Sequence, residues 1–329
     1  MLSVAGARFR SSRLRRPVPV MAVTVAFVGV AASAPGVRAT PVPATPARAS
    51  AVRTAVDPSA APPPTTVVAR PRAAAPADPL AADGLPTTAA WSAAARRARA
   101  YARARDARVR FALRVDTRTW SFRGRETTRA HSLLKATVLV AYLRRGSVRE
   151  RDLTARERSL LSPMIRRSAN GPVVPLLAAL GGVEPLRRVG RLVGMRDFRP
   201  VDGLWSTSRI SAVDEARLFS RLWGVLPPRH REYALGLLGS VVPEQRWGMP
   251  TVAPRGWQVR FKSGWNDRAR VVQAMRLTCR GHVVSASVLV DGGAHADSIA
   301  TVRETGRLLL RPLTVRGRDA CASVRRPAP

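Results

Sequence analysis

The N-terminal quarter of this 329-residue chain lacks the side chains that build a hydrophobic core. Residues 40–86 are mostly Ala, Pro, Thr and Val with scattered Arg, which favours a disordered or polyproline-like spacer. Residues 1–39 combine an arginine-rich start, a short apolar run and small residues near Val37, the layout of an export signal. An uncleaved membrane anchor is the alternative. The fold is therefore expected at 87–315, with a tail at 316–329, in a secreted protein.

Hydrophobic periodicity predicts strands at both ends of the folded part and helices between them. The strands are predicted at 109–115, 117–123, 259–262, 271–279 and 283–291. The helices are predicted at 91–105, 132–144, 159–167, 172–180, 183–193, 212–223, 231–238 and 294–310. This order is typical of an α+β fold in which the terminal helices cover one face of an antiparallel sheet.

Arginine dominates the charge of the chain, whose formal net charge is +35. Such a surface favours anionic surroundings, including anionic cell-wall polymers, lipid headgroups and nucleic acid. The few aromatic residues do not alternate with the arginines as base-stacking platforms would, so no specific nucleic acid is expected. A solvated arginine surface that follows from a GC-rich coding sequence is the simpler interpretation.

The chain has two cysteines, Cys279 and Cys321. In an oxidising compartment they either form a disulfide, which would hold the C-terminal tail against the strand of Cys279, or stay unpaired. Two cysteines cannot make a four-ligand structural zinc site, and the His-Glu-x-x-His signature is absent. Neither a metal nor a cofactor is expected.

Lysine occurs twice, as Lys135 in Ser132-Leu133-Leu134-Lys135 and as Lys262 in Lys262-Ser263-Gly264, whereas the other 54 basic residues are arginine. Arginine cannot give up its proton in a protein, but a buried lysine can. A lysine retained in such a chain therefore indicates chemistry that arginine cannot perform. Ser132 and Lys135 are three apart at a predicted helix start, so the amine can reach the hydroxyl and take its proton.

A third motif, Ser168-Ala169-Asn170, lies between two predicted helices, where a hydroxyl and an amide can face a cleft. Each motif alone has an ordinary explanation, such as a helix cap at Ser132 or an edge strand that carries Lys262. Taken together and in this order, they resemble the S-x-x-K, S-D-N and K-T/S-G motifs of the penicillin-binding protein and class A β-lactamase superfamily.

The resemblance spans residues 91–310 and includes the order of the elements. It implies a β-lactamase-like fold, an antiparallel sheet flanked by terminal helices plus an all-helical lobe. It also implies a β-lactam or peptidoglycan-like small substrate, a wall-associated or secreted location, and a monomer. Between a β-lactamase and a D,D-peptidase the sequence does not decide.

The resemblance implies a catalytic group of Ser132, Lys135, Ser168 and Lys262. Ser132 would be the acylated nucleophile, and Lys135 would be its general base. Ser168 would relay a proton to the leaving nitrogen. Lys262 would hold the carboxylate of the substrate.

The resemblance also implies four substrate-binding residues, which are Asn170, Ser263, Gly264 and Trp265. Asn170 would line the cleft, and Ser263 would bind the carboxylate together with Lys262. Gly264 would let the backbone of a ligand lie against the strand. The backbone amides of Ser132 and Trp265 would form the oxyanion hole.

Two departures from the superfamily pattern bear on turnover. Ala169 replaces the aspartate of S-D-N, and no Glu-Pro-x-x-Asn loop supplies a base for the deacylating water. Asp202, within 197–207, is the acid nominated for deacylation, and its alternative role is to cap a turn with Gly203. Without such a base, acylation would proceed while hydrolysis stays slow.

Two other functions compete with a serine hydrolase acting on amide bonds. One is a catalytically weak cell-wall-binding module of the same fold. The other, a Ser-His-Asp hydrolase, is disfavoured because no G-x-S-x-G motif occurs and the four histidines have no motif around them. His131, beside Ser132, is expected to pack or to face solvent on another side of the helix.

Overall fold

The computed structural model describes residues 84–266 and 270–317, together with Cys321 and Val324. The predicted export signal and nearly all of the predicted spacer lie outside these residues, as does most of the predicted tail, and they stay predictions. Among the described residues, no helix combines the length and hydropathy needed to cross a membrane.

The described residues form eight α-helices and seven strands. The helices are α1 (Thr88–Arg103), α2 (Leu134–Leu143), α3 (Ala155–Arg166), α4 (Val173–Leu180), α5 (Glu184–Val193), α6 (Ala212–Val225), α7 (Arg231–Gly239) and α8 (His295–Leu310). The strands are β1 (Arg108–Val115), β2 (Arg118–Phe122), β3 (Thr127–Arg129), β4 (Arg209–Ser211), β5 (Gln258–Asn266), β6 (Arg270–Cys279) and β7 (His282–Asp291).

Five strands form one antiparallel sheet in the order β2-β1-β7-β6-β5, so β5 lies at an edge. In the β5–β6 register, Lys262 is opposite Ala274 and Ser263 is opposite Gln273. The strands β3 and β4 form a separate two-stranded sheet. The three-residue length of these two strands explains why hydrophobic periodicity did not predict them.

The large sheet is covered on both faces, which is why β7 is almost continuously buried instead of alternating. Helices α1 and α8 pack on one face, over a core that includes Trp91, Phe111 and Phe261. Helices α2 to α7 contribute to the other core, which includes Leu133 and Phe219. The predicted α+β fold, with terminal helices on one face of an antiparallel sheet and a helical lobe, is confirmed.

The complete burial of α2 and a disulfide at the end of β6 are two further features of the fold. All ten residues of α2 are buried, so any polar group on this helix loses water. The cysteines form a disulfide between Cys279, at the end of β6, and Cys321, which confirms the paired alternative.

Candidate active site

The turn before α2 carries the predicted nucleophile. Ser132 lies in a 3₁₀ turn, His131–Leu133, and the α-helix itself begins two residues later than Ser132. His131 has φ 45°, a left-handed backbone conformation that residues other than glycine rarely adopt. Strain of this kind is often retained where it aims a neighbouring group at a functional site.

Lys135 makes three hydrogen bonds through its amine. Nζ lies 2.9 Å from Ser132 Oγ, 2.5 Å from the carbonyl oxygen of Ser168 and 2.7 Å from Asn170 Oδ1. A carbonyl and an amide oxygen can only accept, so they hold two N–H groups of the amine. In the neutral amine the remaining lone pair then points to the hydroxyl of Ser132, which is the geometry that a general base requires.

Burial makes the neutral form of this amine accessible. Lys135 is fully buried on α2, and the described residues place no carboxylate beside it. Desolvation lowers the pKa of Lys135 from 10.5 to about 8. Near pH 8 a large fraction of this lysine is therefore unprotonated and able to accept a proton.

Ser168 connects the two lysines. Its carbonyl oxygen accepts from Lys135, and its hydroxyl lies 2.9 Å from Lys262 Nζ. A φ of 57° turns the hydroxyl and the carbonyl of this residue toward different partners. Lys262 is 1% exposed, and burial followed by the charge of Lys135 holds its pKa well below 10.5. The structure thus brings Ser132, Lys135, Ser168 and Lys262 into one hydrogen-bonded group.

Asn170 joins this group through its side-chain oxygen, and it is exposed, as expected of a residue that lines a cleft. Ser263 does not join it. Consecutive strand residues face opposite sides of a sheet, so Ser263 points away from the side that Lys262 faces. Its buried hydroxyl accepts from Gln273 Nε2 at 2.8 Å. The expectation that Ser263 and Lys262 jointly face the carboxylate is corrected by this alternation.

Gly264 has a different role from the one predicted. A Cβ on residue 264 would lie 2.7 Å from the carbonyl oxygen of Ala130, 2.7 Å from Leu133 N and 2.8 Å from Ser132 N. The space that a side chain would take is filled by the nucleophile turn itself, not left for the backbone of a ligand. The glycine therefore lets β5 and this turn touch.

Trp265 is half-buried, and its ring packs edge-on against Trp247 with 5.6 Å between the centroids. This pair lies on the same side of β5 as Ser263, facing the core beneath α8. The role assigned to the backbone amide of Trp265 stays a prediction.

Asp202 caps a turn, and its role as the deacylation acid stays a prediction. It is exposed, its Oδ1 accepts from the backbone N–H of Gly203 at 3.1 Å, and its Oδ2 is the nearest atom to a Cβ on Gly182. This is the turn-capping alternative. Gly203 has φ 66°, and the carboxylate of Asp202 accepts the backbone N–H of this turn, as short polar side chains often do beside a glycine.

The same loop instead brings an aromatic ring to the base. Trp205 lies in the 3₁₀ turn Trp205–Thr207, and Lys135 Nζ is 5.2 Å from the centroid of its ring. The sequence motifs did not predict this residue, because the superfamily pattern indicates an acid in this loop and no aromatic residue. A tryptophan flanked by polar residues in a loop is the signal that could have identified it, since an indole in such a loop usually has a packing partner.

Helix α6 fixes the path of this loop. The Asp214 carboxylate accepts from the backbone N–H groups of Arg196 at 2.9 Å and Asp197 at 2.7 Å. Glu215, the next residue, is fully buried, and its two carboxyl oxygens have no hydrogen-bond partner among the described residues. Burial and then the charge of Asp214 raise the pKa of Glu215 well above 4.5, which favours its neutral form.

The sequence matches no protein-family model and no curated protein. Solved structures do resemble the fold. A class A β-lactamase from Bacteroides cellulosilyticus superposes with TM-score 0.59 at 14% identity, covering 68% of this chain and 98% of that one. A class A β-lactamase from Mycobacterium abscessus gives TM-score 0.57 at 16% identity, covering 66% and 98%.

A variant of PBP-A, solved as an acyl-enzyme complex with penicillin G, gives TM-score 0.56 at 16% identity and covers 68% of this chain and 96% of its own. The chain has a β-lactamase-like fold. These alignments cover about two thirds of this chain and nearly the whole of each neighbour. At these identities the likeness concerns the fold, and the chemistry has to be argued from the residues above.

Proposed function

We propose that this chain is a serine hydrolase that opens a β-lactam or a D-Ala-D-Ala-type amide by attack of Ser132. The neutral amine of Lys135 takes the proton of Ser132 Oγ as this oxygen bonds to the carbonyl carbon of the substrate. The bond from that carbon to nitrogen then breaks, and the leaving nitrogen takes a proton. The product is an ester of Ser132, which water hydrolyses or which persists.

The observation that carries the proposal is the surroundings of Lys135 Nζ. Two acceptors that cannot donate occupy its N–H groups, and Ser132 Oγ lies 2.9 Å away. A lysine that merely supported the fold would be expected to extend its amine to water or to a carboxylate. Here, burial and a pKa of about 8 make the proton-accepting form accessible near neutral pH.

The same hydrogen bonds support a route for the proton to the leaving nitrogen. The hydroxyl of Ser168 accepts from Lys262, so its own proton is free to point into the cleft toward the substrate. After Ser168 gives that proton away, its hydroxyl can take a proton from Lys262 Nζ, 2.9 Å away. Before that transfer, the protonated Lys262 offers positive charge to a carboxylate on the leaving part.

Hydrolysis of the acyl-enzyme is expected to be slower than its formation. Deacylation needs a base to activate water, and Asp202 is turned to Gly203 instead. The loop brings the indole of Trp205, with its centroid 5.2 Å from Lys135 Nζ, to the base. A long-lived ester of Ser132 is therefore the expected state after reaction with a β-lactam. The predicted export signal supports a location outside the cytoplasm, secreted or at the cell wall.

Intact-mass measurement after incubation with benzylpenicillin tests this proposal. Wild-type protein is expected to gain the mass of one penicillin, and Ser132→Ala is expected to gain none. Ser159→Ala is the matched control, because Ser159 is an exposed serine on α3 whose hydroxyl bonds to the carbonyl of Arg156. It should acylate like wild type.

The role of Lys135 has a separate test. Lys135→Arg keeps the charge but cannot accept a proton, so acylation should slow by about 10²- to 10⁴-fold. In wild type the acylation rate should rise with pH through a midpoint near 8, because the neutral amine is the active form. Retained acylation in the arginine variant would refute the assignment.

Two other outcomes distinguish the alternatives. Rapid loss of the drug without a trapped adduct would identify an efficient β-lactamase. A complete lack of reaction would favour the wall-binding module, which the net charge of +35 supports. In that case the protein should sediment with isolated cell walls and be released by salt.

A further inference from the structure

A second polar cavity opens beside the nucleophile turn, at the end of the sheet where β5 and β7 finish. Its volume is about 680 Å³, and five arginines, two carboxylates, two threonines and Asn266 line it. None of these residues belongs to the catalytic group. The positive charges exceed the negative ones, so the chemistry of the lining favours an anion.

The two carboxylates of the cavity already have partners. Asp291 accepts from Thr128 Oγ1 at 2.9 Å, from Arg110 Nη1 at 2.9 Å and from Arg270 Nε at 2.7 Å. Glu126 accepts from Arg108 Nε at 3.0 Å and lies 3.5 Å from Arg110 Nε. Three of the five arginines are therefore neutralised by ion pairs inside the lining.

The other two arginines are cross-strand neighbours, and neither has a carboxylate partner among the described residues. Arg129 on β3 and Arg209 on β4 are directly opposite in the register, and Arg199 is the bridge partner of Arg209 on its other side. Like charges directly opposite each other destabilise a strand pair. Arg209 donates to the side chain and carbonyl of Thr127, whereas Arg129 has no hydrogen bond or ion pair within the described residues.

Strand β5 runs from the active site to the cavity. Asn266 is two residues beyond Gly264 and on the same face, about 6.6 Å further along the strand. Lys262 lies the same distance on the other side of Gly264, and Gly264 itself touches the nucleophile turn. A substrate that lies along β5 with its leaving part at Lys262 therefore has its acyl part directed toward Asn266.

The pKa of His131 shows that the arginines of the cavity lie close to the nucleophile turn. This residue precedes Ser132, and burial followed by the charges of Arg270 and Arg129 lowers its pKa. Its Nε2 atom is buried without a hydrogen-bond partner among the described residues. The positive field of the cavity therefore reaches the residue next to the nucleophile.

From this arrangement we infer that the cavity is a subsite for a carboxylate on the acyl part of the substrate, bound by Arg129 and Arg209. The inference rests on the proposed function and names its substrate class: amides or β-lactams that carry an acidic acyl side chain. Arg129 has no partner among the described residues, so its guanidinium fork can bind a carboxylate, and Arg209, whose Nε and Nη2 bond to Thr127, adds positive charge and its Nη1 donors. The charge of the carboxylate relieves the repulsion between the two arginines.

Two penicillins that differ by one carboxylate provide the test. Benzylpenicillin and α-carboxybenzylpenicillin share the ring and its carboxylate, and the second carries an extra carboxylate on the acyl side chain. The second-order acylation rate of wild type should be about fivefold higher for the carboxylated compound, the size expected of one accessible ion pair. Raising the salt concentration should reduce this preference.

The double variant Arg129→Gln/Arg209→Gln should lose the preference while still reacting with benzylpenicillin. Its matched control is Arg156→Gln/Arg188→Gln, which removes two exposed arginines of the helical lobe and should keep the preference. Equal preference in wild type and the Arg129/Arg209 variant would overturn the subsite and assign these arginines to the solvated surface.

A binding measurement keeps the two proposals distinguishable. Calorimetric titration of Ser132→Ala with both penicillins needs no acylation, and tighter binding of the carboxylated compound supports the subsite. If benzylpenicillin acylates wild type but neither method detects a charge preference, the subsite is wrong and the proposed function stands. If no penicillin acylates the wild-type protein but the carboxylated compound binds more tightly, the proposed function is wrong and the subsite stands.

Discussion

Substitution of Gly264 by alanine separates the geometry of the nucleophile turn from its chemistry. The added methyl group would lie 2.7 Å from two backbone atoms and 2.8 Å from Ser132 N. All three are backbone atoms, so no side-chain rotation relieves the contact. To reach an ordinary separation of 3.4 Å, the turn and β5 must move apart by about 0.7 Å.

This movement sets two expected magnitudes. Overpacking of this kind typically costs ~1–3 kcal/mol of unfolding free energy, or about 2–12 °C in Tm for a domain of this size. A displacement of about 1 Å of a reacting group can slow a reaction by ~100-fold. Because Ser132 moves relative to β5 while Lys135 stays on its helix, Gly264→Ala should acylate about 30- to 100-fold more slowly than wild type.

The assay is the rate of acylation by a chromogenic β-lactam at 25 °C, with Tm measured on the same samples. Gly236→Ala is the matched control, because a Cβ at this position on α7 meets nothing within 4 Å. It should raise stability by ~0.4–1 kcal/mol without changing the rate. Acylation of Gly264→Ala within threefold of wild type would refute the contact between strand and turn as the reason for this glycine.

Trp205→Ala should let water reach Lys135, raise its pKa from about 8 toward 10.5, and move the midpoint of the acylation profile to higher pH; an unchanged midpoint contradicts this. Replacement of both Cys279 and Cys321 by serine should lower the free energy of unfolding by about 4 kcal/mol, because the disulfide closes a loop over a separation of 42 residues. Urea unfolding measures this change, and a loss under about 1 kcal/mol would contradict a stabilising disulfide. Glu215 has a raised folded pKa, so its contribution to stability falls as pH rises above 4.5. The unfolding free energy of Glu215→Gln should therefore depend less on pH above 4.5 than that of wild type, and equal slopes would contradict this.

The sequence predicted the elements that bury a continuous apolar face and failed where tertiary contacts decide. Helix α2 and strands β6 and β7 were predicted within one or two residues, because their apolar residues recur along a single element. The pairing of Ser132 with Lys135 followed from helical spacing, and its geometry agrees with that prediction.

The remaining site features depend on packing between distant segments. Ser263 was grouped with Lys262 by motif, although strand alternation alone separates their side chains. The position of Trp205 over Lys135 depends on the path of a loop that Asp214 holds from another helix. Likewise, Arg129 meets Arg209 through strands too short to leave a periodic pattern.

Ser168 ties the helical lobe to the sheet, since one bond reaches a helix and the other reaches a strand. Any ligand that wedges the two halves apart at this residue would loosen both amines simultaneously. The base strength of Lys135 and the affinity of Lys262 for an anion would then change together. Neither evolution nor an inhibitor could alter one of these properties without altering the other.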